Sequence, residues 1–322
     1  MGLFDFFRGK KNKESKSGGP LEISFSSSYD TLRIWSIDFY GQYSKSPNGE
    51  YIIACQDSDY RGNSGGGFRE SGFGRTILLR NKHLIYQTDM QRPFKGAVSN
   101  DGVAAIYDIG FGESPKGTFY VLDAAGKPII RYHKGASYPT PGIMDKGELS
   151  WLSTGDELLF FSLPKRGLLF QLIEHQPPER VEIVDNHLHV TLRSITRQYD
   201  SSGKLLNSDE VAEGELKWLL ENGDSFSLET KAVDMLDNLK SEGRQRQSVM
   251  TEIVLLLETA LKRTNDDTVK ARIHRRWGEA AEAIGDKVGA KKQYVQALRY
   301  DPKVGVKRAL TSIEKELAGK KS

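Results

Sequence analysis

The sequence predicts two classes of structure in succession, an all-β region built from repeats and then an all-α region. Three observations carry that expectation. From Leu21 to about residue 210, apolar residues recur with a period of two in short runs. Two kinds of polar turn alternate between those runs at a regular spacing. Beyond residue 210 the apolar period lengthens to that of a helix.

The strand-like runs are LEISFS, TLRIWSID, YIIACQ, RTILLR, HLIYQT, VAAIYD, TFYVLD, LLFFSL, LLFQLI and LHVTLRS. Short strands separated by turn residues mean a β-sandwich, barrel or propeller. One hairpin class reads YSKSPNGEYIIACQDS, GAVSNDGVAAIYDI, GIMDKGELSWLSTG and VEIVDNHLHVTLRS, and its turns near Asn48, Asp101, Lys146 and Asn186 recur every 40 to 53 residues. A second class alternates with it: TILLRNKHLIYQT, TFYVLDAAGKPIIRYH, LLFFSLPKRGLLFQLI and TRQYDSSGKLLNSD. Its tightest pair sets YVLDAAGKPII against RQYDSSGKLLN. Four strands per unit of about 40 residues is the blade of a β-propeller. A small or incomplete propeller is therefore expected over 21–210, with a β-sandwich as the competing architecture. A fifth unit is expected from Leu21 to Asp38 together with strands near the end of the domain, closing the ring. The SPNGEYIIA and SNDGVAAIY turns resemble those of WD40-like repeats, although no Trp-Asp dipeptide or Gly-His pair is present.

Residues 211–322 read as helices. Val233, Leu236 and Leu239, then Val249, Ile253, Leu256, Leu257 and Ala260, fall at helical spacing. The sharpest stretch is Ala271 to Pro302, where Gly278 lies on a first helix, Gly285 and Asp286 mark a turn, and Ala290, Tyr294 and Ala297 share one face of a second. Set with Pro302 at its thirty-second position, this stretch resembles a tetratricopeptide repeat of about 34 residues. His274, Trp277 and Ala281 depart from the family pattern. The resemblance implies stacked helical hairpins with a groove for a peptide or protein, closed by a helix over Val304 to Leu317.

Composition bounds the function. The chain has 322 residues, 46 Lys and Arg against 43 Asp and Glu, and one cysteine. Basic residues outnumber acidic ones 5 to 2 over residues 1–20 and 18 to 10 over 244–322, whereas the middle has 23 against 31. Basic ends around an acidic centre suit an anionic partner or attraction between the domains. Residues 1–20 read as a separate head in which Leu3, Phe4, Phe6 and Phe7 precede a run of lysines, the composition of a short interfacial anchor. No apolar run reaches the roughly 18 residues of a membrane span, and no secretory signal precedes the strands, so a cytoplasmic protein is expected, one that the head could hold at a membrane surface. Cys55 reads as a buried strand thiol.

No catalytic constellation is visible. His187 and His189 share a strand face without a third ligand, and Asp57, Asp59 and Gly62 fall short of a calcium loop because Arg61 occupies an oxygen-ligand position. Gly65, Gly66 and Gly67, in the Gln56 to Gly74 insertion, precede a strand instead of a helix, which speaks against phosphate binding and for a flexible hairpin tip. The expected function is therefore a non-enzymatic adaptor without metal or cofactor, whose partner is a protein or peptide, acidic in one version, and not a nucleic acid. Lys270, Arg272, Arg275 and Arg276 are the candidate partner-binding residues, on an exposed face of a helix whose Trp277 and Ile284 point inward. The alternatives are an enzyme or ligand site in the propeller channel and a peripheral membrane protein held by its head.

Overall fold

A computed structural model describes residues 19–26, 29–62, 67, 69–112, 117–241 and 246–319. The apolar head residues Leu3, Phe4, Phe6 and Phe7 lie outside them. Contacts divide the chain into two units, the first ending at Asn207 and the second beginning at Ser208.

The first unit is a series of antiparallel meanders. Strands β1 (Ser24–Ser26), β2 (Thr31–Ile34), β3 (Phe39–Lys45), β4 (Tyr51–Gln56), β5 (Gly74–Arg80) and β6 (His83–Met90) make one sheet in chain order. A second holds β7 (Pro93–Val98), β8 (Ala104–Asp108), β9 (Thr118–Leu122) and β10 (Pro128–His133), and a third β11 (Thr140–Ile143), β12 (Leu149–Ser153), β13 (Glu157–Ser162) and β14 (Gly167–Ile173). The fourth has β15 (Arg180–Val184), β16 (His187–Leu192) and β17 (Ile195–Tyr199), its outer strand reduced to a bridge between Tyr199 and Leu205.

Period-two alternation lets each inner sheet serve two interfaces. Tyr51, Ile53 and Cys55 of β4 face Ala104 and Ile106 of the second sheet, while Ile52 and Ala54 point the other way. On β8, Ala105 and Tyr107 turn toward Leu152, Leu159 and Phe161 of the third sheet. On β13, Leu158 and Phe160 turn toward Leu188, Val190 and Leu192 of the fourth. Strands buried on both faces read as continuous apolar runs, which is why YIIACQ and AAIYD lack a polar face.

The expected fifth unit does not form. β2 pairs with β3, Thr31 opposite Gln42 and Ile34 opposite Phe39, so the N-terminal hairpin extends the first sheet instead of joining the last. The physical reason is that the outer face of that sheet is apolar: Leu32, Ile34, Phe39, Ile77 and Leu79 are at most 1% exposed, and Leu21 and Ile23 pack against them. Leu21 is held there by donating its N–H to Lys82 O at 2.9 Å. At the other end, the register of β15 to β17 puts Glu182, His189 and Gln198 on the face turned away from the third sheet. The four sheets do not close into a ring, and a terminal repeat with a polar outer face needs no further unit.

The recurring turns are also recurring geometry. Asp123 Oδ1 accepts from the N–H groups of Ala125 and Lys127 at 2.9 and 2.8 Å, and Asp200 Oδ1 from those of Ser202 and Lys204 at 2.8 and 3.0 Å. Each turn then needs glycine, because Gly126 and Gly203 have φ of 80° and 85°, and a Cβ would stand 2.9 Å from Tyr86 and 2.5 Å from Phe170 of the preceding sheet. Turns of the first class are linked in series: the Asn48 N–H donates to Asn100 Oδ1, and the Asn100 N–H to Asp145 O, both at 2.8 Å.

The second unit contains α1 (Ser208–Asn222), α2 (Ser225–Ser241), α3 (Arg246–Lys262), α4 (Asp267–Ala283), α5 (Lys287–Tyr300) and α6 (Lys307–Gly319). α2 packs on α3, α4 on α5, α3 on α4, and α6 on α5. Asp266 and Asp286 cap α4 and α5, Asp286 accepting from the Gly289 N–H at 2.8 Å. Gly278 lies flat against Tyr294, where a Cβ would come within 2.3 Å of the ring. Ala290 and Ala297 are fully buried, while Trp277 is half-buried and packs at the core's margin. Arg263 secures the end of α1 by donating to the carbonyl oxygens of Leu220 and Glu221 at 2.5 and 3.0 Å.

Close approach at Ala290 and Ala297 leaves no volume for larger side chains. Ala290→Leu or Ala297→Leu is expected to destabilise the helical unit by about 1–3 kcal/mol, read as a lower melting temperature; a parental melting curve would contradict the packing described.

Candidate interaction surface

Alternation along β2 sends Leu32 and Ile34 into the core and Arg33 outward. The 3-10 turn Trp35–Ile37 follows, closed by Asp38 at φ 49°, whose N–H returns to Trp35 O. This turn leaves the Trp35 indole 69% exposed. The Arg33 guanidinium stacks on that indole, 4.4 Å from its centroid, and its Nη2 donates to Asp38 Oδ1 at 2.7 Å. On β3, Tyr40 stands opposite Arg33 and is 52% exposed. An arginine fixed between a carboxylate and an indole, with a tyrosine across the ladder, is the composition of an interface hot spot.

Gln42 and Ser44 continue the Tyr40 face of β3 into a cleft of about 190 Å³, lined also by Tyr29, Asp30, Tyr43, Lys95 and Gly96. Phe25 packs on Tyr43 with ring centroids 5.0 Å apart, and the Lys45 ammonium sits 4.8 Å from the Phe25 centroid. Among the described residues Asp30 and Lys95 have no ion-pair partner. The cleft therefore offers one charge of each sign beside two phenols.

The four cations singled out in the sequence are placed together on α4, but each is already engaged. Lys270 Nζ lies 3.3 Å from Asp267 and 5.4 Å from the Tyr300 ring centroid. Arg272 Nε donates to both carboxylate oxygens of the buried Glu229 at 2.6 and 2.8 Å. Arg275 and Arg276 share Glu279, each at 2.8 Å. Burial works against ionisation of Glu279, yet hydrogen bonds from the two arginines hold its carboxyl below the usual range. The face is compensated, so an acidic partner would have to compete with carboxylates in place.

The described flanks of the Gln56–Gly74 insertion are pinned; Gly65 and Gly66 lie outside the described residues. Asp57 Oδ1 takes Arg69 at 3.3 Å and Arg92 at 3.1 Å, both arginine side chains under one-tenth exposed. Asp59 accepts from the N–H groups of Phe73 and Arg61, chiefly Phe73, which lowers its pKa. Both carboxylates are thus engaged by donors of the chain itself. Asp108 receives N–H groups from Gln91, Arg92 and Gly110 at 3.0, 2.7 and 3.1 Å, while burial pushes its pKa up. No group of three metal-ligating side chains occurs among the described residues, the strand pair His187 and His189 included. Cys55 is buried, and desolvation raises its thiol to about 12.

Trp35 and Tyr40 belong to no motif in the sequence, and the 3-10 turn that presents Trp35 interrupts TLRIWSID. The signal was parity: with Leu32 and Ile34 inward, an aromatic at position 35 falls on the outward side.

No family model and no curated protein matches the sequence. Solved structures similar to this chain include HIRA residues 644–1017, with TM-score 0.38, 12% identity, and 83% of this chain and 80% of that one covered. The Myceliophteria thermophila Cps50 (Swd1) β-propeller domain gives TM-score 0.31, 12% identity, and coverage of 57% and 66%. Kuenenia stuttgartiensis hydrazine synthase gives 0.32, 16% identity, and 51% and 47%, so the chain spans about half the length of that protein. Agreement this loose decides nothing about function, and the architecture rests on the sheets themselves. No described helix is long and apolar enough to cross a membrane.

Removing the carboxylate of Asp57 strands two buried guanidinium groups. Asp57→Ala is expected to cost about 3 kcal/mol or more in the first unit, measured by denaturant unfolding, whereas Asp38→Asn, which keeps a side chain that tolerates the positive φ and removes only the charge, is expected to cost under about 1 kcal/mol. Cys55 is expected to resist alkylation at neutral pH until the chain is unfolded, because a thiol with a pKa near 12 holds almost no thiolate; rapid labelling of the folded chain would contradict its burial.

Proposed function

We propose that the chain is a non-enzymatic protein-interaction scaffold, in which an open array of propeller-like sheets and a tetratricopeptide-like stack of α2 to α6 each offer a surface to another protein. The observation that carries the reading is the arrangement of Trp35 and Tyr40, both exposed, beside a half-buried Arg33 that is already held. Binding there loses less side-chain entropy than binding through mobile residues, because the stack and the Asp38 ion pair hold Arg33 before a partner arrives. The partner class is a protein whose surface presents an apolar or aromatic anchor. The small Gly278, Ala290 and Ala297, with Tyr294 between the helices, support the helical reading.

The test is affinity purification of the tagged full chain from its own cells, followed by binding measurements on any partner recovered. Trp35→Ala and Tyr40→Ala are each expected to weaken that partner by about tenfold with an unchanged melting curve, since both side chains are largely exposed. Undiminished affinity in the double variant would move the contact away from this surface.

A further inference from the structure

Two Asn-Gly dipeptides occur in the chain, Asn48–Gly49 and Asn222–Gly223, and their surroundings are opposite. Asn48 and Gly49 are exposed in the β3–β4 turn, and a Cβ built at Gly49 would meet nothing within 4 Å. The Asn48 side-chain oxygen is already held by two donors, Ser46 Oγ at 2.7 Å and the Glu50 N–H at 3.0 Å. Its Nδ2 makes no hydrogen bond among the described residues.

At Asn222, by contrast, Nδ2 donates to Trp218 O at 3.0 Å. Gly223 is buried, donates its N–H to Leu219 O at 2.8 Å, and would bring a Cβ within 2.6 Å of Leu219. Arg263 also holds the Gly223 carbonyl. At this helix end the Asn222 amide, the Gly223 N–H and the Gly223 carbonyl are all engaged, so bringing the Gly223 nitrogen to the Asn222 side chain breaks more contacts than the same move at Asn48.

We propose that Asn48–Gly49 is a site of spontaneous covalent modification, at which asparagine passes through a succinimide to aspartate and isoaspartate and so loosens the link between the first two sheets. The Gly49 backbone nitrogen gives its proton to hydroxide and attacks Asn48 Cγ. A nitrogen–Cγ bond forms and the electron pair moves onto Oδ1. Ser46 Oγ and the Glu50 N–H donate to that oxygen and stabilise the negative charge as it develops. Collapse breaks the bond from Cγ to Nδ2, which leaves as ammonia after taking a proton from water. Water then opens the ring, at Cγ to give aspartate or at the backbone carbonyl to give isoaspartate. Two restraints must yield before attack: the Gly49 N–H bond to Ser46 O at 2.8 Å has to open, and the amide has to turn its Cγ toward the nitrogen while Oδ1 keeps its donors.

The consequence follows from the linked turns. The Asn48 N–H donates to Asn100 Oδ1 at 2.8 Å, across to the second sheet. Isoaspartate inserts a methylene into the main chain between the Cα of residue 48 and the carbonyl joined to Gly49, which changes the geometry of the turn that aims that N–H and so loosens the cross-sheet bond.

The experiment is to age the purified full chain in its folded state at mildly alkaline pH and to map modification by peptide mass analysis and isoaspartyl methyltransferase labelling. Asn48 is expected to convert at a rate proportional to hydroxide, with Asn222 still an amide; in urea both should convert. Aged chain is expected to melt at a lower temperature than fresh chain, and an aged Asn48→Gln variant should not. Persistence of Asn48 as an amide while Asn222 converts in urea would overturn the site. Conversion of both at equal rates in the folded chain would overturn the structural argument, and equal melting of aged and fresh chain would overturn the link to the second sheet.

Discussion

Burial of both faces of the central strands is the constraint on which the first unit depends. A sheet that packs on one side alone can solvate the other; β4, β8 and β13 cannot, because their alternate side chains enter two different cores. Truncating one of them, Phe160 or Ile53 for example, removes apolar contacts and opens a cavity, at a cost of about 2–5 kcal/mol. The array therefore needs something at each end. At the start it is Leu21 and Ile23, packed on an apolar face to which β2 adds Leu32 and Ile34; at the last sheet it is a polar face bearing Glu182, His189 and Gln198.

The same alternation joins scaffold to surface. Leu32 and Ile34 seal the first core, and with parity fixed by that burial Arg33 has only the outward side. The 3-10 turn that reverses the chain before β3 then presents Trp35, and the β2–β3 register brings Tyr40 opposite Arg33. A slip of one residue would bury the arginine and expose two aliphatic side chains, so the core that closes the unit also fixes the proposed contact site. The helical unit uses its charges differently: Glu229 and Glu279 hold the arginines of α4 and leave a structured face instead of an open basic one.

Much of the fold could be read from the chain because turns carry their chemistry locally. YVLDAAGKPII and RQYDSSGKLLN fold alike since the Asp side chain and the positive-φ glycine determine the turn without distant help. Small residues at 278, 290 and 297 likewise declared a close helix pair. What escaped was decided by partners far apart in sequence. Whether Leu21 to Asp38 joins the first or the last sheet depends on which apolar face remains uncovered, and no local pattern records that. The compensation of Arg272 by Glu229, 43 residues away, is hidden for the same reason.

Amide hydrogen exchange of the native chain tests the central claim most directly. If the β1–β2 hairpin caps the first core, the amides of Leu32 and Ile34 should be protected together with those of β4 and β8, and should be released in the same transition when denaturant is added. Exchange of 31–34 at the rate of an exposed loop, with β4 and β8 still protected, would show that the hairpin does not close the array and that the surface built on it is not preformed.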